Sequence, residues 1–295
     1  QAKTLFPYTT LFRSEMGANH QKEIEFLCEI ARPDFGYITN FGKAHLEGFG
    51  GVEGVIKGKS EMYHFLIAHN RKAFVNLDDA LQNEKTTSIE RYGFSQKSSD
   101  AYLKIDEVSA NPLVKVAFED VQINSHLIGL YNANNILAAA TIGKYFGISH
   151  QQIKAAVESY IPENNRSQLI QKGSNEIILD AYNANPSSMK VAIENFVQLD
   201  KANKLMILGD MFELGPESAQ EHQNIVALVA THPETACIFV GKDFSAQTIL
   251  APQLQFFEHF DDLAARIQTQ TFQNQTMLIK GSRGMALERL LAYIQ

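Results

Sequence analysis

Tryptophan is missing from all 295 residues, and cysteine occurs only at Cys28 and Cys237. The two cysteines lie far apart, with no C-x-x-C pair and no metal-ligand spacing. That excludes a disulfide framework and a thiolate metal site, and it reads as two buried thiols of a reducing compartment. No apolar run approaches the ~20 residues of a membrane-spanning helix, and no signal-peptide pattern opens the chain. Membrane insertion is therefore not expected, and a cytoplasmic monomer is. Excess positive charge is also lacking: the net charge is −7 and the isoelectric point about 5.7, which argues against a nucleic-acid partner. An anionic ligand would have to be held by local devices rather than by the overall field.

What is present is ordinary for a globular protein: 45% hydrophobic and 20% charged residues, in a length that suits roughly two domains. The opening stretch stands apart. Residues 1–14 (QAKTLFPYTTLFRS) have no helix or strand period, and Leu5–Ser14 resembles the read-through translation of a common sequencing-library adapter. On that reading the residues are non-native, the gene's own sequence resumes near Glu15, and the first fourteen are set aside from the fold.

From Glu15 the chain divides near residue 165. In the first part the apolar spacing predicts helices over Lys22–Ile30, Val52–His69, Asn132–Phe146 and Gln151–Tyr160. Strands are predicted over Phe35–Asn40 and Ala73–Leu77, and the alternation from Ile89 to Leu130 suggests an antiparallel hairpin region. Residues 162–166 (PENNR) read as a linker. Beyond them strands alternate with helices: strands at 176–179, 204–208, 236–240, 255–257 and 276–279, helices at 189–199, 218–231, 244–250, 260–270 and 285–293. That rhythm belongs to a parallel, doubly wound sheet.

In such a sheet ligands gather at the carboxyl ends of the strands. Ile177–Met189 (IILDAYNANPSSM) is an apolar strand that delivers Asp180 and then breaks at Asn183, Asn185 and Pro186. Ser187 and Ser188 are cap candidates for the following helix. The strand at 204–208 leads into G-D-M-F-E-L-G (209–215). The strand at 276–279 leads into Lys280, Ser282 and Arg283, where cations and backbone amides favour anions. In the first part, Glu15, His45 and Lys59 stand out together: a strand-end carboxylate beside a histidine-bearing glycine loop could hold Mg²⁺ near phosphates. Asn132 and Asn135 offer amide groups for a base or ribose, or simply cap a helix. Gly54-Val-Ile-Lys-Gly58-Lys59-Ser60 imitates a phosphate-binding loop, but it has one residue too few between its glycines and sits inside a helical pattern.

These strings are similar to those of the Mur ligases. The matching stretches are E-M-G-A (15–18), N-F-G-K-A-H-L-E-G-F-G (40–50), K-S-E (59–61), G-L-Y-N-A-N-N-I-L-A-A (129–139) and N-N-R-S (164–167). D-A-Y-N-A-N-P-S-S-M (180–189), L-G-D-M-F-E-L-G (208–215) and K-G-S-R-G-M (280–285) resemble the members that add D-alanyl-D-alanine; His222 fits too, and Tyr131 stands where many relatives have His. The resemblance implies an α/β fold: an incomplete P-loop-type ATPase central domain over 15–165 and a Rossmann-like, doubly wound C-terminal domain over 166–295.

It further implies an ATP-dependent, Mg²⁺-requiring ligase of peptidoglycan synthesis. Such an enzyme joins D-alanyl-D-alanine to UDP-N-acetylmuramoyl-tripeptide through an acyl phosphate. Glu15, His45 and Lys59, a lysine the family carbamylates, would serve the metal. Asn132, Asn135, Arg166 and Asp180 would face the nucleotide. Asn183, Asn185, Ser187, Ser282 and Arg283 would face the substrates, and Lys280 would join His45, Lys59 and Arg166 in the catalytic set. The family's phosphate loop and uridine-binding domain would precede Glu15, so the polypeptide as written is expected to be inactive by itself. A related folate-type ligase, or a non-catalytic nucleotide- or peptide-binding module, are the alternatives.

Overall fold

The structure is a computed structural model that describes residues 12–163, 165–249 and 251–294. Most of the stretch read as non-native therefore lies outside the described residues, as does Asn164. Residues 12–14 belong to an exposed, irregular lead-in that runs past Glu15 to α1.

Two sheets form before the linker. α1 (Glu23–Ala31), β1 (Phe35–Gly36), α2 (Leu46–Phe49), α3 (Val52–Ala68), β2 (Lys72–Asn76), α4 (Ala80–Lys85), β3 (Glu90–Ser95) and β4 (Leu103–Lys104) follow in order. Strands β1 to β4 make one parallel sheet in sequential order. The antiparallel reading of Ile89–Leu130 is thus corrected for its first part. β3 joins β2 in parallel because α4 carries the chain back between them, started by the Asp79 carboxylate accepting the Gln82 amide at 2.9 Å. Only β5 (Glu107–Ala110), β6 (Leu113–Phe118) and β7 (Val121–Ile128) are antiparallel, and they pack beneath α5 (Tyr131–Tyr145) and α6 (His150–Ser159).

The glycines of the false phosphate loop have a packing role. A Cβ on Gly54 would fall 1.8 Å from the Phe49 carbonyl oxygen, and one on Gly58 2.4 Å from the Phe49 ring. They let α3 lie directly against α2.

After the linker come β8 (Gln168–Lys172), β9 (Asn175–Asp180), α7 (Pro186–Val197), β10 (Lys204–Gly209), α8 (Ser218–Ala230), β11 (Ala236–Val240), α9 (Lys242–Ser245), β12 (Leu254–Phe257), α10 (Phe260–Gln268) and β13 (Thr276–Lys280). The sheet order is β12-β11-β10-β13-β9-β8, parallel except for the antiparallel edge strand β8. Successive side chains point to opposite faces. Ile178, Met206, Leu208, Phe239 and Leu278 therefore pack under α7 and α8, while Ile177, Leu179, Ile207, Val240 and Ile279 pack under α10 and the C-terminal turns. Both faces are covered, as a doubly wound sheet requires.

Three predicted helices differ. α7 begins at Pro186, capped by Asn185 rather than by Ser187 or Ser188; Asn185 and Ser188 bond reciprocally, and Pro186 needs no amide partner at the first helical position. α9 is one short turn. Residues 287–292 form 3₁₀ turns, in which Leu287 and Leu290, three apart, fall on the same buried side.

The two halves share a core. Leu46, Phe49, Val55 and Ile128 from the first half join Met211, Leu214 and Phe196 of the second in one buried cluster.

Candidate active site at the domain seam

β9 and β13 are parallel neighbours whose register sets Asp180 beside Lys280. The Lys280 ammonium, 2% exposed, donates to Asp180 Oδ2 at 2.6 Å and to the Asn183 carbonyl at 3.1 Å. The other carboxylate oxygen accepts the Ser167 amide at 3.0 Å and its hydroxyl at 3.3 Å. Ser167 in turn shares a 2.5 Å hydrogen bond with Tyr131 of α5. Asp180 and Lys280 are thus spent on each other and on the seam, and burial raises the Tyr131 phenol well above its ordinary range. A buried charge pair persists where its other valences find partners; here both Asp180 oxygens are engaged and Lys280 uses two of its three donors.

The residues expected to face the substrates divide. The exposed Asn183 folds its Oδ1 onto the Ala184 amide at 2.8 Å, and Asn185 is used in the α7 cap. Ser187 Oγ accepts the Lys43 amide across the seam at 2.9 Å. Ser282 is buried and braces three loops: its hydroxyl accepts the Phe212 amide at 2.8 Å and donates to the Ala184 carbonyl at 3.4 Å, and its amide bonds the Asp210 carbonyl at 3.1 Å. Arg283 is exposed and paired with Glu288 at 2.7 Å.

Of the residues expected to face the nucleotide, Asn132 donates to the Ile128 carbonyl at 2.8 Å and its Oδ1 accepts Asn135 at 3.0 Å. Both amides are first of all a helix start, with Asn135 the exposed one. The Arg166 guanidinium stacks 3.9 Å from the centre of the exposed Tyr182 ring. A cavity of about 40 Å³, lined by Tyr131, Asp180, Gly129 and Asn195, lies behind these residues. That is far below the few hundred Å³ of a ligand pocket.

A larger cleft of about 500 Å³ opens beside Gly17, Ala18, Asn19, Glu23 and His45. Glu15 is exposed two residues before its wall. Lys59 donates to the Asn40 carbonyl at 2.8 Å, at the root of the His45 loop, and burial lowers its pKa below the ordinary lysine value. The structure therefore brings His45 and Lys59 to one loop, with Glu15 close by in sequence to the cleft. Among the described residues, the one group of three His, Cys, Asp or Glu side chains close enough to share an ion is elsewhere, at Glu119, Asp120 and His150.

Contacts not singled out from the sequence tie this loop to the C-terminal domain. Lys43 reaches Glu221 at 2.5 Å, His45 Nδ1 lies against the Glu213 carboxylate, and the Glu47 amide bonds the Glu213 carbonyl at 3.3 Å. Lys43 and Glu213 both sat inside strings already noted, but nothing in one dimension pairs them with their partners. His222 is fully buried, accepting the Met211 amide at 3.0 Å and donating to the Ser218 carbonyl at 2.8 Å, which makes it a brace for the 209–215 loop. Asp210 caps α9 through the Asp243 and Phe244 amides, each at 3.0 Å.

Residues 7–143 match the Mur ligase middle domain, and residues 165–283 the glutamate ligase domain of Mur ligases. The chain belongs to the Mur ligases. Among curated Mur ligase relatives, it is 30% identical over 295 residues to the UDP-N-acetylmuramoyl-tripeptide–D-alanyl-D-alanine ligase of Escherichia coli K12, covering 95% of this chain and 64% of that one. A crystal structure of MurF from Acinetobacter baumannii superposes with a TM-score of 0.82 at 30% identity, over 94% of this chain and 62% of that one. MurF of Thermotoga maritima in complex with ADP gives 0.79 at 23% identity, over 94% and 65%, which speaks to the Mur fold alone. The chain spans less than two thirds of the length of these relatives.

Proposed function

We propose that the chain carries the ATP-side middle domain (15–165) and the acceptor-side C-terminal domain (166–295) of a ligase that adds D-alanyl-D-alanine to UDP-N-acetylmuramoyl-tripeptide in peptidoglycan synthesis. The observation that carries the reading is the seam itself: the Lys43 amide on Ser187 Oγ sets the His45 loop against the crossover that leads to Asn183 and Asn185. In a Mur ligase these are the nucleotide side and the acceptor side.

A carboxylate is a poor electrophile. Transfer of the γ-phosphoryl group to the tripeptide carboxylate, with ADP leaving, makes an acyl phosphate; attack by the amine of D-alanyl-D-alanine then expels phosphate, and the amine gives up a proton. Asn132, Asn135 and Arg166 serve the nucleotide. Asp180 faces its ribose side, held in place by Lys280. Asn183, Asn185, Ser187, Ser282 and Arg283 shape the acceptor side.

Glu15, His45 and Lys59 suit a magnesium ion: a carboxylate, an imidazole at a cleft, and an amine whose lowered pKa favours the neutral form that takes up CO₂ as a carbamate. Bound there, the ion would neutralise phosphate charge. Isothermal titration of the chain with D-alanyl-D-alanine and with D-glutamate tests the assignment. Saturable binding of the dipeptide alone is expected; preference for D-glutamate, or binding of neither, contradicts it and favours a related ligase or a different module.

A further inference from the structure

Two non-glycine residues with left-handed backbone face each other across the seam: His45 at φ 54° and Glu213 at φ 63°. Such conformations cost energy for residues with a Cβ and persist where the surroundings enforce them. Here the enforcement is visible. The Glu47 amide is fastened to the Glu213 carbonyl, Lys43 to Glu221, and the Lys43 amide to Ser187. Gly215, at φ 56°, has no side chain between the two loops, and a Cβ there would sit 3.1 Å from that of Glu47. The outcome of this clamp is that the Glu213 carboxylate lies against Nδ1 of His45, a buried nitrogen with no aligned hydrogen-bond partner that only a small turn of the carboxylate would satisfy, while the same residue lines the 500 Å³ cleft of the other domain.

We infer that Glu213 is a positioning residue for His45, a carboxylate lent by the C-terminal domain that holds Nδ1 and leaves Nε2 as the nitrogen for a divalent cation. The inference rests on the proposed reading of His45 as a magnesium ligand and adds to it a partner from the other domain. A histidine ligand commonly donates its second ring N–H to a carboxylate, which fixes both the tautomer and the ring orientation. Glu213 supplies that group only while the two loops are clamped, so the cation site is complete only with the C-terminal domain in place. Glu213 itself touches no reacting atom.

The test uses the ¹⁵N-labelled chain, with Mn²⁺ alone as the probe. Long-range ¹H–¹⁵N spectra report which nitrogen of His45 carries the proton, and water relaxation reports Mn²⁺ affinity. The wild-type chain is expected to hold the proton on Nδ1. Glu213→Gln, whose amide oxygen still accepts, should keep that tautomer and most of the affinity; Glu213→Ala should release the tautomer and weaken Mn²⁺ about tenfold. A proton on Nε2 in the wild type, or a Glu213→Ala chain unchanged in both readouts, overturns the inference. His45→Ala separates the layers. If it abolishes Mn²⁺ binding while Glu213→Ala does not weaken it, only the role of Glu213 falls. If it leaves Mn²⁺ binding intact, the reading of His45 as a ligand falls first and the inference with it.

Discussion

The domain seam is fastened twice, by different chemistry. Near the linker, Tyr131, Ser167, Asp180 and Lys280 form a buried chain of hydrogen bonds ending in a 2.6 Å ion pair, with Lys280 only 2% exposed. At the other end, the half-buried Lys43 meets the buried Glu221 carboxylate, and His45 meets a Glu213 carboxylate that stands mostly in water. A charge pair out of water is costly to break because the survivor stays buried; one in water exchanges its partner for solvent at little cost. The first fastening is thus part of the fold, whereas at the second the Glu213–His45 contact is a clasp that orients groups, anchored by Lys43 on the buried Glu221.

That contrast can be broken at several points. Lys280→Ala leaves the Asp180 carboxylate largely buried and unpaired, and should cost about 3–5 kcal/mol in a urea unfolding curve. Replacing both partners by apolar residues should recover most of that loss, since no charge is then left unpaired. Tyr131→Phe removes one buried hydroxyl from the same chain, and about 1 kcal/mol is expected by the same measurement. Glu213→Gln at the clasp, where the carboxylate is exposed, should cost under about 1 kcal/mol, and its effect should shrink in high salt. A loss as large as that of Lys280→Ala would erase the distinction drawn between the two fastenings.

The smallest effect is expected away from the seam. His150, by its hydrogen bond, holds the Asp120 carboxyl below its usual range. The folded pKa is lowered, so whatever stability the pair adds is present at neutral pH and is lost as pH falls through the folded value. Asp120 is exposed, and Asp120→Asn should be unresolved in a thermal melt.

Much of the C-terminal sheet was legible in the residues, because strands covered on both faces read as continuous apolar runs: IIL, LMIL, CIFV and MLI each fall within a strand. β8 was not legible. As an edge strand, Gln168–Lys172 is half polar and resembles the linker it follows. The start of α7 was misplaced since Asn185, Ser187 and Ser188 are all good caps, and only the position of Pro186 chooses among them. Among the site residues, the strand-end positions of Asp180 and Lys280 were readable, but their pairing was not. It depends on β13 inserting between β10 and β9, which no local pattern discloses. Glu213 was visible as a loop carboxylate, and its meeting with His45 is a fact of the seam.

The central claim is that the clasp sets the middle-domain loop against the acceptor side of one ligase site. Calorimetric titration of D-alanyl-D-alanine into the wild-type chain and Lys43→Ala tests it most directly. The account predicts saturable binding in the wild type and clearly weaker binding in the variant, with its fold retained. Equal binding by both, or none by the wild type, would contradict it.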